Sequence, residues 1–255
     1  MWLAWIGALA IGLSLGLLGS GGSIITVPVL VYLVGQPDKI AIAGSLGVVG
    51  AVALVGALQN AAHGKVDWRS VGWFGIPGML GTYGGSWLSS MVTGAVQLLV
   101  FAVVMLAASV MMFRRAGYQS DGKPHAVPLI VAQGIAVGVL TGFVGVGGGF
   151  LILPALVLLG GLGMHVAIGT SLAIIALNAF TGFFKHLNIL AAEGLSLDWR
   201  VLGTFVVLGA IGSVVGSRFA SRVPQATLRR MFAVFLVLMA AFILYETGPR
   251  AFGHG

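Results

Sequence analysis

Long stretches without charge constrain this chain more than any other feature of its sequence. No Asp, Glu, Lys or Arg occurs in residues 1–37, 40–64, 70–113 or 126–184. About 20 apolar helical residues cross a bilayer core that is about 30 Å thick, and each of these stretches is long enough for one or two crossings. Only 7% of the residues are charged, against about a quarter in soluble domains. The sequence therefore predicts an all-α polytopic membrane protein.

Several other classes of protein are excluded or disfavoured. The net charge of +7 comes from short basic clusters between apolar runs, which is typical of membrane orientation and not of nucleic-acid binding. The chain has no cysteine, its histidines show no ligand spacing, and it has no nucleotide-binding motif of the Walker type. We therefore predict no metal site, no cofactor and no enzymatic activity. The N-terminus is expected to form a first membrane segment and not a cleaved signal peptide.

The chain contains an internal repeat. The residues Gly12, Gly16, Gly19, Gly21, Gly22 and Pro28 recur 126 positions later as Gly138, Gly142, Gly145, Gly147, Gly148 and Pro154. Further along, the sequence Asp67-Trp68-Arg69 recurs 131 positions later as Asp198-Trp199-Arg200. A fixed register over this length predicts two homologous halves, 1–118 and 127–255, joined by a linker at 119–126.

Each half is predicted to hold a glycine-broken segment followed by three helices. The broken segments are 2–34 and 127–160. The predicted helices are 40–62, 70–90 and 95–113 in the first half, and 166–188, 201–219 and 228–246 in the second. Because glycine costs about 1 kcal/mol in a helix interior, the clustered glycines predict a break inside each first segment.

The breaks allow two topologies. If each broken segment is a re-entrant hairpin, every half has three crossings and the halves are inverted; the basic residues then divide nine to four between the two sides. If the breaks lie outside the membrane, the chain makes eight full crossings with parallel repeats, and the division is eight to five. Positive residues favour the cytoplasmic side, so the charges favour the inverted arrangement and leave the parallel one open.

The two breaks are candidate anion sites. The first amides of a helix lack partners within the helix and carry a partial positive charge, and broken helices in transporters point such ends at the substrate near the membrane midplane. The candidate backbone donors are Gly19, Ser20, Gly21, Gly22 and Ser23 in the first half, and Gly145, Gly147, Gly148 and Gly149 in the second. The alternative is that the glycines only permit close packing of helices.

Four polar side chains are further candidates for substrate binding. Ser45, Thr170 and Ser171 stand near the starts of predicted helices, where capping or backbone bonding is the alternative explanation. Asn178 is predicted near mid-membrane, where an amide is costly unless it has a partner; the alternative is an interhelical hydrogen bond. All six acidic residues fall in or beside predicted loops. The absence of a carboxylate within a predicted span disfavours a cation transporter.

The sequence resembles the TauE/SafE family of sulfite exporters. The resemblance rests on the glycine-rich stretch 138–154 with its weaker copy 12–28, on the segment 167–172 (AIGTSL), and on the doubled Asp-Trp-Arg motif. It implies a multi-pass protein of the bacterial cytoplasmic (inner) membrane that moves small sulfur-containing anions such as sulfite or organosulfonates, often outward. The first copy departs from the pattern, with Ser20 and Ser23 in place of Val146 and Gly149.

The resulting hypothesis is a secondary transporter of a small anion, working by alternating access as an exporter, with the lipid bilayer as its surroundings. The coupling ion (proton or sodium) and a homo-oligomeric state remain open. The rival hypotheses are a channel, a transporter of another small solute, and a non-transporting membrane scaffold.

Overall fold

The computed structural model describes residues 2–114, 127–144, 149–158 and 160–252. Within these ranges the chain is helical and contains no strand. The first half holds α1 (Trp2–Leu18), α2 (Gly21–Pro28), α3 (Asp38–Ala62), α4 (Trp68–Ser70), α5 (Ile76–Ser89) and α6 (Gly94–Arg114). The second half holds α7 (Val127–Val144), α8 (Gly149–Leu158), α9 (Met164–Ala192), α10 (Trp199–Ala220) and α11 (Gln225–Phe252).

Helices are observed at the positions of the six long predicted helices, with ends that differ by up to six residues. The second of them, 70–90, is observed as α4 and α5 joined through a π-helical stretch, Val71–Gly75. Asp67 and Asp198 begin their helices as N-caps, because their carboxylates accept hydrogen bonds from the backbone amides two and three residues later. Four helical segments in the described ranges are long and apolar enough to cross a membrane: Asp38–Ala62, Met164–Ala192, Trp199–Ala220 and Ala226–Tyr245.

The first broken segment is a helical hairpin. α1 ends at Leu18, the backbone turns at Gly19 with φ of 71°, and α2 returns along α1, continuing as a π-helical stretch over Val29–Leu33. Gly22 packs against the backbone of α1, and a methyl group of Val29 lies 2.9 Å from where a Cβ of Gly7 would stand. A positive φ is favourable only for glycine, so Gly19 sets the position of the turn.

The two halves exchange their outer helices. Gly12 and Gly16 of α1 pack against the backbone of α10, in the other half. Reciprocally, Gly138 and Gly142 of α7 pack against the backbone of α5. A Cβ at any of these four glycines would collide with a carbonyl oxygen of the neighbouring helix. These two glycine pairs therefore permit close helix packing, and the partner in each case belongs to the opposite half.

The central helices α3 and α9 run antiparallel. Gly47, early in α3, lies beside Phe183, late in α9. Asn60, near the end of α3, lies beside Gly169 in the second turn of α9. The bundle therefore has two ends: the Lys65 end, where α3 and α10 finish and α9 begins, and the Lys39 end, where α3 begins and α9 finishes.

Candidate functional site

The tip of the first hairpin, at the Lys65 end, presents an uncapped helix start inside the protein. α2 begins at Gly21, and the N-cap residue Ser20 makes no side-chain capping bond. Ser20 and Ser23 are fully buried. The hydroxyl of Ser23 donates to the carbonyl of Ser20 at 2.7 Å, whereas the buried hydroxyl of Ser20 has no protein partner. A buried helix terminus with an unpartnered hydroxyl beside it is suited to an anion.

The glycines of this tip also serve packing. A Cβ at Gly22 would collide with the carbonyl oxygen of Ile11, and one at Gly21 would lie 3.2 Å from a methyl group of Leu18. Both interpretations of the first glycine motif are thus compatible with the structure. Substituting Gly22 by a larger residue would damage the hairpin whether or not an anion binds there.

The tip contacts the second half through α9. The hydroxyl oxygen of Ser171 lies 2.9 Å from the carbonyl oxygen of Gly19 and 2.9 Å from that of Ile168. The structure thus brings Ser171 together with the tip, as the sequence hypothesis requires. Thr170 points elsewhere: its hydroxyl accepts a hydrogen bond from the amide of Asp67 at 2.9 Å. Thr170 therefore fixes the loop between α3 and α4.

The counterpart of Ser171 in the first half is Ser45, 126 positions earlier. It is fully buried near the start of α3, and its hydroxyl donates to the carbonyl of Ile42 at 2.8 Å. Ser45 therefore stands toward the Lys39 end, far from the first tip. Of the second tip, Gly145, Gly147 and Gly148 lie outside the described residues, and Gly149 begins α8.

Asn178 lies deeper in the bundle than the hairpin tip, farther along α9 from the Lys65 end. It follows Ser171 by seven residues, or about 10 Å along the axis of α9. The side chain is fully buried, and both its amide nitrogen and its carbonyl oxygen lack a protein partner. Its amide nitrogen lies 3.0 Å from where a Cβ of Gly78 would stand. An unsatisfied buried amide costs about 1–3 kcal/mol, which makes Asn178 a candidate for bonding a polar ligand.

The repeat makes Asn178 unusual. The equivalent residue of the first half is Val52, 126 positions earlier, and Val52 contacts Gly209 just as Asn178 contacts Gly78. The packing is thus preserved in both halves while the polar group is present in only one. The amide is not required by the packing of this fold.

Sequence reasoning missed buried polar residues at the interface of the halves, Ser213 among them. Ser213 is fully buried, and its hydroxyl has no protein partner. It stands 2.9 Å from where a Cβ of Gly56 would be. The repeat offset of 131, which relates Ser213 to the buried Thr82, was the signal that could have identified it.

The described residues contain no group of three His, Cys, Asp or Glu side chains arranged to hold a metal ion. None of the buried polar residues in the described ranges is an Asp or a Glu. Within these ranges the interior therefore offers a ligand the hydroxyl and amide groups of side chains, and no buried carboxylate.

Known proteins resemble this chain over nearly its whole length. The family model "Sulfite exporter TauE/SafE" matches residues 4–243. A "Probable membrane transporter protein" of Xylella fastidiosa (strain 9a5c) is 33% identical over 245 residues, covering 93% of this chain and 92% of the relative.

More distant relatives show the same coverage. The "Probable membrane transporter protein YunE" of Bacillus subtilis (strain 168) is 27% identical over 256 residues, covering 90% of this chain and 92% of the relative. A "Probable membrane transporter protein" of Haemophilus influenzae is 27% identical over 251 residues, covering 92% of this chain and 94% of the relative. No solved structure matches the chain. The resemblance drawn from the doubled motifs is confirmed.

Proposed function

Since the chain belongs to the sulfite exporter TauE/SafE family of membrane transporters, we propose that it exports a small sulfur-containing anion, such as sulfite or an organosulfonate, by alternating access. The observation that carries the proposal is the buried start of α2, where the Ser20 hydroxyl has no protein partner. Helix amides and a hydroxyl at such a terminus bind oxyanions without a charged side chain.

The chemistry of the interior supports an anion over a cation. Cations inside membrane proteins are held by carboxylates or by several oxygen ligands, and no carboxylate is buried in the described part of the bundle. The amide nitrogen of Asn178 provides a further donor about 10 Å along α9 from the hairpin tip. We propose that the anion passes from the tip to the level of Asn178.

The arrangement of the halves supports alternating access. Equivalent helices of two repeats run antiparallel when the axis relating them lies in the membrane plane, as in many secondary transporters, and α3 and α9 are antiparallel. At the Lys39 end, the ammonium of Lys39 pairs with the carboxylate of Glu193 across the two halves. We propose that this ion pair closes the Lys39 end in the present conformation.

The basic residues support an orientation. Among the described side chains, the Lys65 end carries Lys65, Arg69, Arg218, Arg222 and Arg230, and the Lys39 end carries Lys39, Lys185 and Arg200. Positive residues favour the cytoplasmic side. We therefore place the Lys65 end in the cytoplasm and the protein in the inner membrane of a bacterium, with the substrate entering near the first hairpin tip.

The proposal is tested first by thermal unfolding of the purified protein in detergent with sulfite, thiosulfate, sulfoacetate, taurine, phosphate and chloride. A ligand that binds only the folded state stabilises it by about 2.7 kcal/mol at a hundredfold excess over Kd. We expect sulfur oxyanions or sulfonates to raise the unfolding temperature, and the shift to disappear in Ser20→Ala and Asn178→Leu. Stabilisation by a metal cation or a neutral solute alone would overturn the anion assignment.

Transport in proteoliposomes separates the rival mechanisms. A carrier shows saturation and counter-flow, in which unlabelled sulfite inside the vesicle accelerates uptake of labelled sulfite. A channel gives flux without counter-flow. A scaffold gives no flux, and its Ser20→Ala and Asn178→Leu variants would differ from the wild type only in stability.

A further inference from the structure

A small polar cavity opens at the Lys65 end, beside the first hairpin tip. It has a volume of about 80 Å³, enough for two or three water molecules. Its lining residues are Gln59, Asn60, His63, Lys65, Ser217, Arg218 and Ser221. A smaller cavity of about 10 Å³ shares four of these residues and extends to Gly16, His165 and Ile168. We call the two together the basic vestibule.

The side chains with a fixed charge that line the vestibule are all positive. Lys65 and Arg218 stand on different helical segments and on different halves of the chain, and no carboxylate occurs among the lining residues. Neither Lys65 nor Arg218 forms a salt bridge with a residue in the described ranges. The ion pair that these ranges do contain, Lys39–Glu193, lies at the opposite end of the bundle. A concave site with two unpaired cations attracts and concentrates small anions.

Lys65 is held in place by its backbone. Its amide donates to the carbonyl of Asn60 at 2.9 Å, and its own carbonyl packs where a Cβ of Gly169 would stand. Two residues later, the amide of Asp67 donates to the Thr170 hydroxyl at 2.9 Å. These contacts attach the backbone of the loop that carries Lys65 to α9, so the side chain starts from a fixed point at the vestibule.

The neutral polar groups of the vestibule are also ordered. The hydroxyl of Ser217 donates to the side-chain carbonyl of Gln59 at 2.8 Å, and the side-chain amide of Asn60 donates to the carbonyl of Gly56 at 2.8 Å. A ring nitrogen of His165 lies 3.2 Å from the carbonyl of Ala220. These neutral groups are thus held in place before any ligand arrives, which lowers the entropic cost of binding to them.

The vestibule is adjacent to the proposed site. Ile168 lines its smaller cavity, and the Cα of Ile168 lies 2.9 Å from where a Cβ of Gly19 would stand. An anion in the vestibule is therefore next to the hairpin tip where α2 begins.

Comparison of the two repeats shows that the Lys39 end has no equivalent of the vestibule among the described residues. At the repeat offsets, Arg218 corresponds to Trp87, and Gln59 and Asn60 correspond to Lys185 and His186. At the Lys39 end, Lys185 lies over the ring of Tyr83, 4.8 Å from its centroid, and Lys39 is paired with Glu193. The basic, acid-free cavity therefore arises from residues that the duplication does not share.

We propose that the basic vestibule is the entrance site of the transporter, where Lys65 and Arg218 capture a small oxyanion and pass it to the start of α2. This inference rests on the proposed function and names the side on which the substrate is selected. The matching ligand has two or more acceptor oxygens, as sulfite, thiosulfate and alkyl sulfonates do. A drug-sized molecule, which needs about 300 Å³ or more, does not fit.

The test is the initial rate of sulfite uptake into proteoliposomes, measured separately for the two orientations of the protein. Because the chain has no cysteine, a single Ala226→Cys near the Lys65 end reports orientation through an impermeant thiol reagent. In Lys65→Gln/Arg218→Gln we expect KM for sulfite presented at the Lys65 end to rise about tenfold or more, since hydrogen bonds to charged groups are lost. KM from the Lys39 end and the maximal rate should change less than about twofold.

Two controls make the result decisive. Arg222→Gln removes a charge one turn beyond Arg218 and outside the lining of the vestibule, and should leave KM unchanged. Lys65→Arg/Arg218→Lys keeps both charges and should restore most of the affinity; if the double Gln variant does not fold, the two single variants replace it. Normal sulfite transport with an unchanged KM in the Gln variants overturns the vestibule alone. A wild-type protein that neither binds nor moves any sulfur oxyanion overturns the proposed function.

Discussion

The hydroxyl oxygen of Ser171 lies 2.9 Å from the carbonyl oxygen of Gly19, although the two residues are 152 positions apart. This contact joins the turn of the first hairpin to the central helix of the second half. Any movement of one half against the other must either carry this contact along or break it.

Removing the Ser171 hydroxyl tests whether this hydrogen bond stabilises the contact between the two halves. Ser171→Ala loses a buried hydrogen bond, and we expect unfolding in detergent to become easier by about 1 kcal/mol. Thr204→Ala is the matched control, because the Thr204 hydroxyl bonds only within its own helix at an exposed position. Equal unfolding temperatures for wild type and Ser171→Ala would mean that the hydroxyl contributes nothing to joining the halves.

Asn178 should show opposite effects on stability and activity. Asn178→Leu removes two buried polar atoms that have no protein partner, so the folded state should gain about 1–3 kcal/mol. Transport should be lost, because the amide is proposed to bond the anion.

Asn60→Leu is the contrasting variant for stability. The side-chain amide of Asn60 is bonded to the Gly56 carbonyl, so its loss should destabilise the protein. A destabilised Asn178→Leu protein with normal transport would assign Asn178 to structure alone.

The exchanged helices predict a sharp difference between two glycines. A Cβ at Gly138 would collide with the carbonyl oxygen of Gly78, whereas a Cβ at Gly84 meets nothing within 4 Å. We expect Gly138→Ala to cost about 1–3 kcal/mol through overpacking. Gly84→Ala should be neutral or gain up to about 1 kcal/mol. The measurement is thermal unfolding of the two purified variants. Equal changes in unfolding temperature would contradict the packing described for α5 and α7.

The Lys39–Glu193 pair should matter for motion more than for stability. Both side chains are partly exposed, so Lys39→Met should change the free energy of unfolding by less than about 1 kcal/mol. If the pair separates during each transport cycle, joining the two positions stops transport.

A protein without cysteine allows this to be tested directly. In Lys39→Cys/Glu193→Cys, a short bismaleimide linker should abolish sulfite counter-flow, while each single variant treated in the same way should remain active. Full activity of the linked protein would show that the Lys39 end does not open.

Much of the fold was predictable because hydrophobic length and glycine register are local signals. The predicted helix 40–62 is observed as Asp38–Ala62, and 166–188 as Met164–Ala192. The repeated Asp-Trp-Arg motif marks two helix starts, because both aspartates cap helices. The partner of α1 was not predictable, because the glycines of α1 show only that some backbone comes close, and the identity of that backbone depends on contacts about 200 residues away.

The candidate site was predicted in part. The residue types of the hairpin tip suggested a helix terminus, and the structure adds that it is buried and uncapped. The position of a residue in the sequence does not show which group its hydroxyl will bond. Thr170 and Ser171 are neighbours, yet Thr170 bonds the amide of Asp67 and Ser171 bonds the carbonyl of Gly19. The vestibule was not predicted, because Lys65 and Arg218 come from separate halves and were interpreted as topology signals.

The exchange of outer helices has a consequence for biosynthesis. α1 leaves the ribosome first, but its partner α10 begins only at Trp199. At 5–20 residues per second, synthesis of the intervening chain takes roughly 10–40 s. During that interval the glycine face of α1 lacks its packing partner α10. If the first hairpin enters the membrane as it is made, this face contacts lipid until the second half is synthesised. An insertase or chaperone that shields this face would act on the nascent chain, before any finished protein exists.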